Sequence, residues 1–301
     1  FVWISPVLFY GFAIFCMQHK LFFFKKIAIG LNDVKTYLYR DGMNEIIHTG
    51  IFNKTQFAQW LLSFIIYVEE KNYLQFANLV HVQTDAEYLK AKRMLPHDTK
   101  TIVVAAANGI KKELFNCCGN GIAGSNKILF MTHLDGGRSG ESAWFIQKVW
   151  PLITQQLPDA VLLIAGKPPA KPLPYLQNRK DIVINGYVPD LLQVFESVRL
   201  VVVPTFHGTG LINRIADALA AGLPVVSTPQ AIATFPGLQH NIHIVEAGNT
   251  QSFAKAVVML FNDIDMRMAI AKKGREFAMH FPDWQTSAGI TEKAMEEVLL
   301  S

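Results

Sequence analysis

The sequence predicts an α/β protein made of Rossmann-like, doubly wound domains on parallel sheets. Three observations predict it. From residue 127 onward, short apolar runs and longer amphipathic stretches alternate in the order strand then helix, the pattern of a parallel sheet with helices on both faces. The apolar runs KILFMT, AVLLIA and LVVV are continuous rather than alternating, as strands buried on both sides must be. Half of the 301 residues are apolar and 17% are charged, which is enough for two cores without disulfide or metal support.

Taken in order, the chain opens with an uncharged apolar run, Phe1 to Met17, broken by Pro6 and Gly11. No basic residue precedes it and no small-residue cleavage site follows, so it reads as a buried element or a membrane-associated segment rather than a leader. The run IAIGL at residues 27–31 is predicted as a buried strand that delivers Asn32 and Asp33 at its C-terminal edge. Helical patterns run through Gln56 to Asn78, and Leu79 to Gln83 reads as the next strand. Thr84 followed by Glu87 is a capping-box signature for a helix through Lys92. Thr101 to Ala105 is strand-like, and Asn108-Gly109-Ile110 is a turn signal. The Gly-rich stretch from Asn116 to Asn126 marks the predicted boundary between a first domain, 1–115, and a second, 116–284, while the amphipathic tail 285–301 is expected to pack back on the first.

Within the second domain, strands are predicted at Lys127–Thr132, Ala160–Ala165, Ile182–Ile184, Leu200–Val203 and Pro224–Ser227. Helices are predicted at Ser142–Leu157, Asp190–Ser197, Leu211–Ala221, Thr250–Asn262 and Ile264–Phe281. That repetition is a doubly wound sheet.

Charge and cysteine usage narrow the function. The net charge of +4 is mild and the basic residues are scattered apart from pairs such as Lys25-Lys26 and Lys111-Lys112, so no nucleic-acid-binding stripe is present. The three cysteines, Cys16 and the adjacent Cys117 and Cys118, form no disulfide framework and no metal-ligand spacing, which points to a reducing, cytoplasmic setting.

The segment richest in chemistry is VVVPTFHGTGLINRIADALAAGLPVVSTP, Val201 to Pro229. It reads as a strand, a loop with Gly208 and Gly210, and a helix with Leu211, Ile215, Ala218 and Leu219 on its apolar face, stopped by Gly222. Two glycines let backbone approach a ligand, and the first N–H groups of the helix present the positive end of its dipole, an arrangement suited to a diphosphate. Arg214, one turn in, can add a bidentate cationic contact. Asp217, three residues on and on the same face, can accept hydrogen bonds from ribose hydroxyls. Without its surroundings, a G-x-G before a helix is equally a packing turn.

Those surroundings resemble the donor-site signature of family-four glycosyltransferases, in the subgroup that reads G-[ST]-G followed by E-A-M-A-A-G-x-P-V-V-x-T. The resemblance extends through Phe130-Met131-Thr132-His133, Trp144-Phe145, Val149-Trp150-Pro151, Ala165-Gly166 and Gly186-Tyr187-Val188-Pro189-Asp190, essentially Lys127 to Trp284. It implies the GT-B fold: two Rossmann-like domains facing a cleft, the first expected to be incomplete because no first strand with a Gly-rich loop precedes Phe1. It also implies hexosyl transfer from a UDP- or GDP-sugar to a glycan or lipid-linked acceptor, with retention of configuration, no obligatory metal or further cofactor, and a cytoplasmic location with possible contact at the inner face of a membrane. By the same resemblance Gly208, Thr209, Gly210 and Leu211 lie beside the donor diphosphate, with Arg214 in the place of its lysine. Asp217 lies at the ribose, Tyr187 and Val188 against the base, and His133 and Arg138 in the loop where phosphates approach. Asn32, Asp33 and Arg40 belong to the looser match of the first domain.

Three positions depart from the family pattern. Thr209 and Asp217 stand where the wider family has paired glutamates; the first change is shared by the subgroup, and the second shortens the carboxylate arm by one methylene. Arg214 keeps the lysine's charge with a different geometry. These departures leave a non-catalytic sugar-nucleotide-binding module as the main competing reading, ahead of a GT-B epimerase or phosphorylase. A dehydrogenase is disfavoured because no G-x-G-x-x-G follows the first strand of either domain.

Overall fold

The computed structural model describes residues 2–4, 26–30, 74–117, 123–134, 139–206 and 211–300. It divides the chain into two compact units, Phe1–Gly109 with Gly208–Leu211 and Trp284–Ser301, and Ile110–His207 with Ile212–Asp283. The run 5–17, the pair Asn32-Asp33, Arg40, Arg138, Cys118 and the G-T-G at 208–210 lie outside the described residues.

Among the described residues, the first unit holds a four-stranded parallel sheet in the order β1-β2-β3-β4: Val2–Ile4, Ile27–Gly30, Leu79–Val82 and Ile102–Ala105. Its side chains alternate between two faces, as the period of a strand requires. Ile27, Ile29, Val80, Val82 and Val103 meet Ala91 and Met94 of α1 (Asp85–Met94), while Ala28 and Leu79 meet Ala294 and Val298 of α9 (Trp284–Leu300). Helix α1 starts where the capping signature placed it: Thr84 Oγ1 accepts from Glu87 N. The reciprocal bond lands one residue earlier than the motif prescribes, on Gln83 N, and the fully buried Glu87 carboxylate also accepts from the Thr84 hydroxyl.

The second unit is a six-stranded parallel sheet in the order β10-β9-β8-β5-β6-β7, with strands β5 Lys127–Met131, β6 Val161–Ala165, β7 Ile182–Gly186, β8 Leu200–Val203, β9 Val225–Ser227 and β10 Val245–Glu246. From β5 the chain winds one way through β6 and β7, then returns to β8 on the other side of β5. The β5/β8 pair is therefore the switch point, where an open α/β sheet leaves a crevice at its C-terminal edge. The two-residue β10 escaped the sequence reading because so short a run has no periodic signature.

The expected helix over 142–157 begins at Ser139 and is interrupted: α2 (Ser139–Trp144), a π turn (Phe145–Val149) and α3 (Trp150–Gln156). Pro151 lacks the N–H that would continue the i→i−4 ladder, and the chain widens into the π turn just ahead of it. This stretch and α7 (Thr250–Asn262) cover one face of the sheet with an aromatic cluster. Phe145 lies 5.1 Å from Phe130 and 5.7 Å from Phe253, and Trp150 is fully buried. Trp150 also donates its indole N–H to Asp181 at 2.7 Å, and Arg179 holds the same carboxylate, pulling its pKa down to about 2. The remaining helices of the unit are α4 (Leu191–Ser197), α5 (Asn213–Ala220), the short α6 (Pro229–Ile232) and α8 (Ile264–Ala278), with α5 packed on α8. Gly222 ends α5 in the left-handed region at φ +71°, with Leu223 N bonding Ala218 O and Gly222 N bonding Leu219 O, the double closure of a Schellman C-cap. In the last turn of α8, the Arg275 guanidinium fastens the Phe115 and Cys117 carbonyls, which ties the start of the unit to its last helix.

Candidate functional site

The candidate site is built where β5 and β8 end. Residues 204–206 leave β8 with most of their polar atoms committed. The Thr228 hydroxyl donates to Thr205 O, and the Ser227 hydroxyl donates to Val203 O at 2.8 Å. Next comes α5, with Ile212 as its N-cap; an isoleucine side chain cannot cap, so the positive end of the helix lacks the usual side-chain oxygen.

Arg214, in the first turn of α5, reaches across the switch point. Its Nη1 donates to Met131 O at 2.6 Å and its Nη2 to Thr205 Oγ1 at 3.0 Å. The guanidinium is thus held by the last residue of β5 and the loop after β8, which fixes a cation at the C-terminal edge of the sheet.

Asp217 lies one turn further along α5 and is partly buried. Loss of solvent pushes its pKa up to about 6, against a smaller opposing pull from Lys111. A half-buried carboxylate that disfavours its own charged form costs stability, and such groups concentrate where function requires them. With the folded pKa above the unfolded value, the group's contribution is fully present below pH 4 and is lost as pH rises through 6. Asp217→Asn is therefore expected to leave stability unchanged near pH 4 and to raise it at pH 7.5 by on the order of 2 kcal/mol. Urea denaturation at the two pH values checks this; equal destabilisation at both would contradict it.

His133 follows β5 and is exposed, with its Nδ1 accepting from Lys167 N at 3.1 Å. That bond sets the neutral ring as the Nε2–H tautomer. The approach of the two loops depends on Gly166, whose φ is +146° and whose hypothetical Cβ would stand 2.0 Å from Thr132 O. Tyr187 and Val188 leave β7, two strands from β5 on the same edge; Tyr187 is 84% exposed, an aromatic face with no burial role. Leu211 is partly buried ahead of α5.

The structure thus brings Arg214 and His133 to the exits of the central strands and spreads Tyr187 and Val188 along the same edge. The sequence reading missed Glu141, Ser142 and Thr205. Glu141 is buried and its Oε1 accepts from Phe206 N at 2.9 Å; the Ser142 hydroxyl bonds that of Thr132 at 3.0 Å. The only sequence signal for Glu141 is a carboxylate near the start of a helix, which a solvated glutamate shares. Among the described residues, no three His, Cys, Asp or Glu side chains gather into a group that could hold a metal ion, and no helix is long and apolar enough to cross a membrane.

Residues 125–263 match the family described as Glycosyl transferases group 1. The chain is also similar to solved structures. Anabaena HepE in complex with UDP and glucose is 15% identical, with TM-score 0.64 over 99% of this chain and 77% of that one. Sucrose-phosphate synthase from Thermosynechococcus elongatus is 16% identical, with TM-score 0.64 over 94% and 70%. WaaG, a glycosyltransferase involved in lipopolysaccharide biosynthesis, is 14% identical, with TM-score 0.62 over 94% and 81%. No curated protein sequence matches. At these identities the solved structures establish the fold, an α/β arrangement of the GT-B type, and the match over 125–263 supports glycosyltransferase function.

Proposed function

We propose that this chain is a retaining glycosyltransferase that moves a hexosyl group from a nucleotide-diphosphate sugar to an acceptor hydroxyl. The observation that carries the reading is Arg214, a guanidinium fixed at the sheet's switch point in the first turn of a helix whose N-cap is a non-capping isoleucine. As the bond from the anomeric carbon to the diphosphate breaks, negative charge grows on the leaving group. A pre-positioned cation and helix dipole stabilise that charge without reorganising. The residues 208–210, which precede α5 in sequence, supply backbone N–H groups to the same oxygens; Asp217 accepts from the ribose, and Tyr187 and Val188 flank the base. His133, through its Nε2–H, and Arg138 approach the phosphates. The acceptor hydroxyl attacks the anomeric carbon from the face that the leaving group vacates, and its proton passes to the departing diphosphate oxygen.

In this reading, residues 1–115 form the acceptor side, 116–284 the donor side, and 285–301 a helix returning to the first domain. UDP is the favoured nucleotide because the HepE structure is described with UDP; GDP is the alternative. The acceptor is a glycan or a lipid-linked glycan, handled in the cytoplasm or at the inner face of a membrane. A second reading, a sugar-nucleotide-binding module without transfer, is favoured by Asp217 standing where the wider family has glutamate.

Isothermal titration of the 301-residue chain with UDP, GDP and ADP tests the donor assignment. Micromolar binding of one of them, with release of the matching nucleoside diphosphate from its sugar conjugate, is the expected result. Binding without any turnover of the conjugate selects the second reading, and binding of none by folded protein overturns both.

A further inference from the structure

Four hydrogen bonds outside the strand ladders close into a ring around the switch point. Arg214 Nη1 donates to Met131 O, the Thr132 hydroxyl bonds the Ser142 hydroxyl, Glu141 Oε1 accepts from Phe206 N, and Arg214 Nη2 donates to Thr205 Oγ1. Chain neighbours complete each step, Met131 to Thr132, Ser142 to Glu141 and Phe206 to Thr205, so the ring returns to its starting guanidinium. We infer that Glu141 is a positioning residue that sets the Arg214 guanidinium for a nucleoside diphosphate by clamping the backbone of Phe206 and, through it, the Thr205 hydroxyl. The inference rests on the proposed donor role of Arg214.

The chemistry favours this over a packing role. Glu141 is buried at 8% relative exposure, a costly place for a carboxylate, and its described bond is to a backbone N–H. Aromatic packing already holds Phe206: its ring meets Trp144 edge-on at 4.8 Å, and Trp144 meets Phe253 at 5.8 Å. What that packing cannot do is fix the peptide plane between Thr205 and Phe206. The Glu141 bond fixes its N–H, and the Thr228 hydroxyl holds Thr205 O one atom away across the same peptide. With the plane fixed, Thr205 Oγ1 stays under Nη2. A flexible Arg side chain would otherwise lose rotamer freedom on each binding event.

The test is titration of UDP and GDP, and of the nucleoside matching whichever one binds, into wild type, Glu141→Ala, Glu141→Gln, Arg214→Ala and the double variant Glu141→Ala/Arg214→Ala. Glu141→Ala is expected to weaken the diphosphate by about tenfold, the scale of one hydrogen bond that orients a charged group, with nucleoside affinity unchanged. Glu141→Gln, which keeps the acceptor oxygen, restores affinity to within about threefold. In the Arg214→Ala background, Glu141→Ala adds no further loss, because the two act as one unit. Unchanged diphosphate binding in folded Glu141→Ala, an equal loss in Glu141→Gln, or an additive loss in the double variant overturns the positioning role. Absence of binding by wild type instead overturns the donor site itself.

Discussion

Replacing Arg214 by alanine is expected to weaken nucleoside-diphosphate binding by about 30- to 100-fold while the chain remains folded. The estimate follows from losing charge-assisted contacts to an anion, worth about 2 to 3 kcal/mol. A structural cost accompanies it. Met131 O and Thr205 Oγ1 lose their guanidinium partner, and the lost bonds lower stability by about 1 kcal/mol, which urea denaturation would register. Arg214→Lys separates the two consequences. It keeps a point charge near the ligand, but a single ammonium cannot hold both oxygens in one plane while addressing a phosphate, so affinity should fall between wild type and alanine. If Arg214→Ala binds the nucleotide as tightly as wild type, the leaving-group role proposed for this side chain is wrong.

Gly166→Ala should be the most damaging single-methyl addition in the second unit, lowering stability by on the order of 4 kcal/mol. Two independent penalties act on the same atom. At φ +146° an L side chain is strained whatever the space around it, and the added Cβ would sit 2.0 Å from Thr132 O, a backbone atom of the residue whose N–H bonds Ala165 O just beyond the β5/β6 pairing. Relief requires the two strand exits to separate, which breaks the bond from Lys167 N to His133. The expected signature in urea denaturation is a large drop in midpoint, with nucleotide affinity falling in whatever folded fraction survives. A loss below about 1 kcal/mol would mean that the two loops can part without cost.

Much of the fold was legible because its signals are local. The continuous apolar runs fall in strands, β8 at Leu200–Val203 as expected and the others shifted by a residue or two at their ends. The Thr84 and Glu87 pair and the stop at Gly222 act through neighbouring backbone, so the sequence carries them directly. The break in the predicted helix after Ser142 was not legible. Pro151 gives a reason for an irregular turn, but its placement ahead of Trp150 reflects how Phe145 and Trp150 bury against the sheet.

The candidate site divides the same way. By itself the sequence determined which residue types were available for the proposed anion and ribose contacts, Gly208 and Gly210 ahead of the helix and Arg214 and Asp217 three residues apart along it, because order and spacing along the chain are local properties. Only the tertiary structure decided how Arg214 is held and what Asp217 experiences. The Arg214 to Met131 bond spans 83 positions and the Phe206 to Glu141 bond spans 65, separations at which no periodicity connects the partners. The upward shift of the Asp217 pKa arises from solvent excluded by everything packed around α5, a sum over the fold that no stretch of sequence contains.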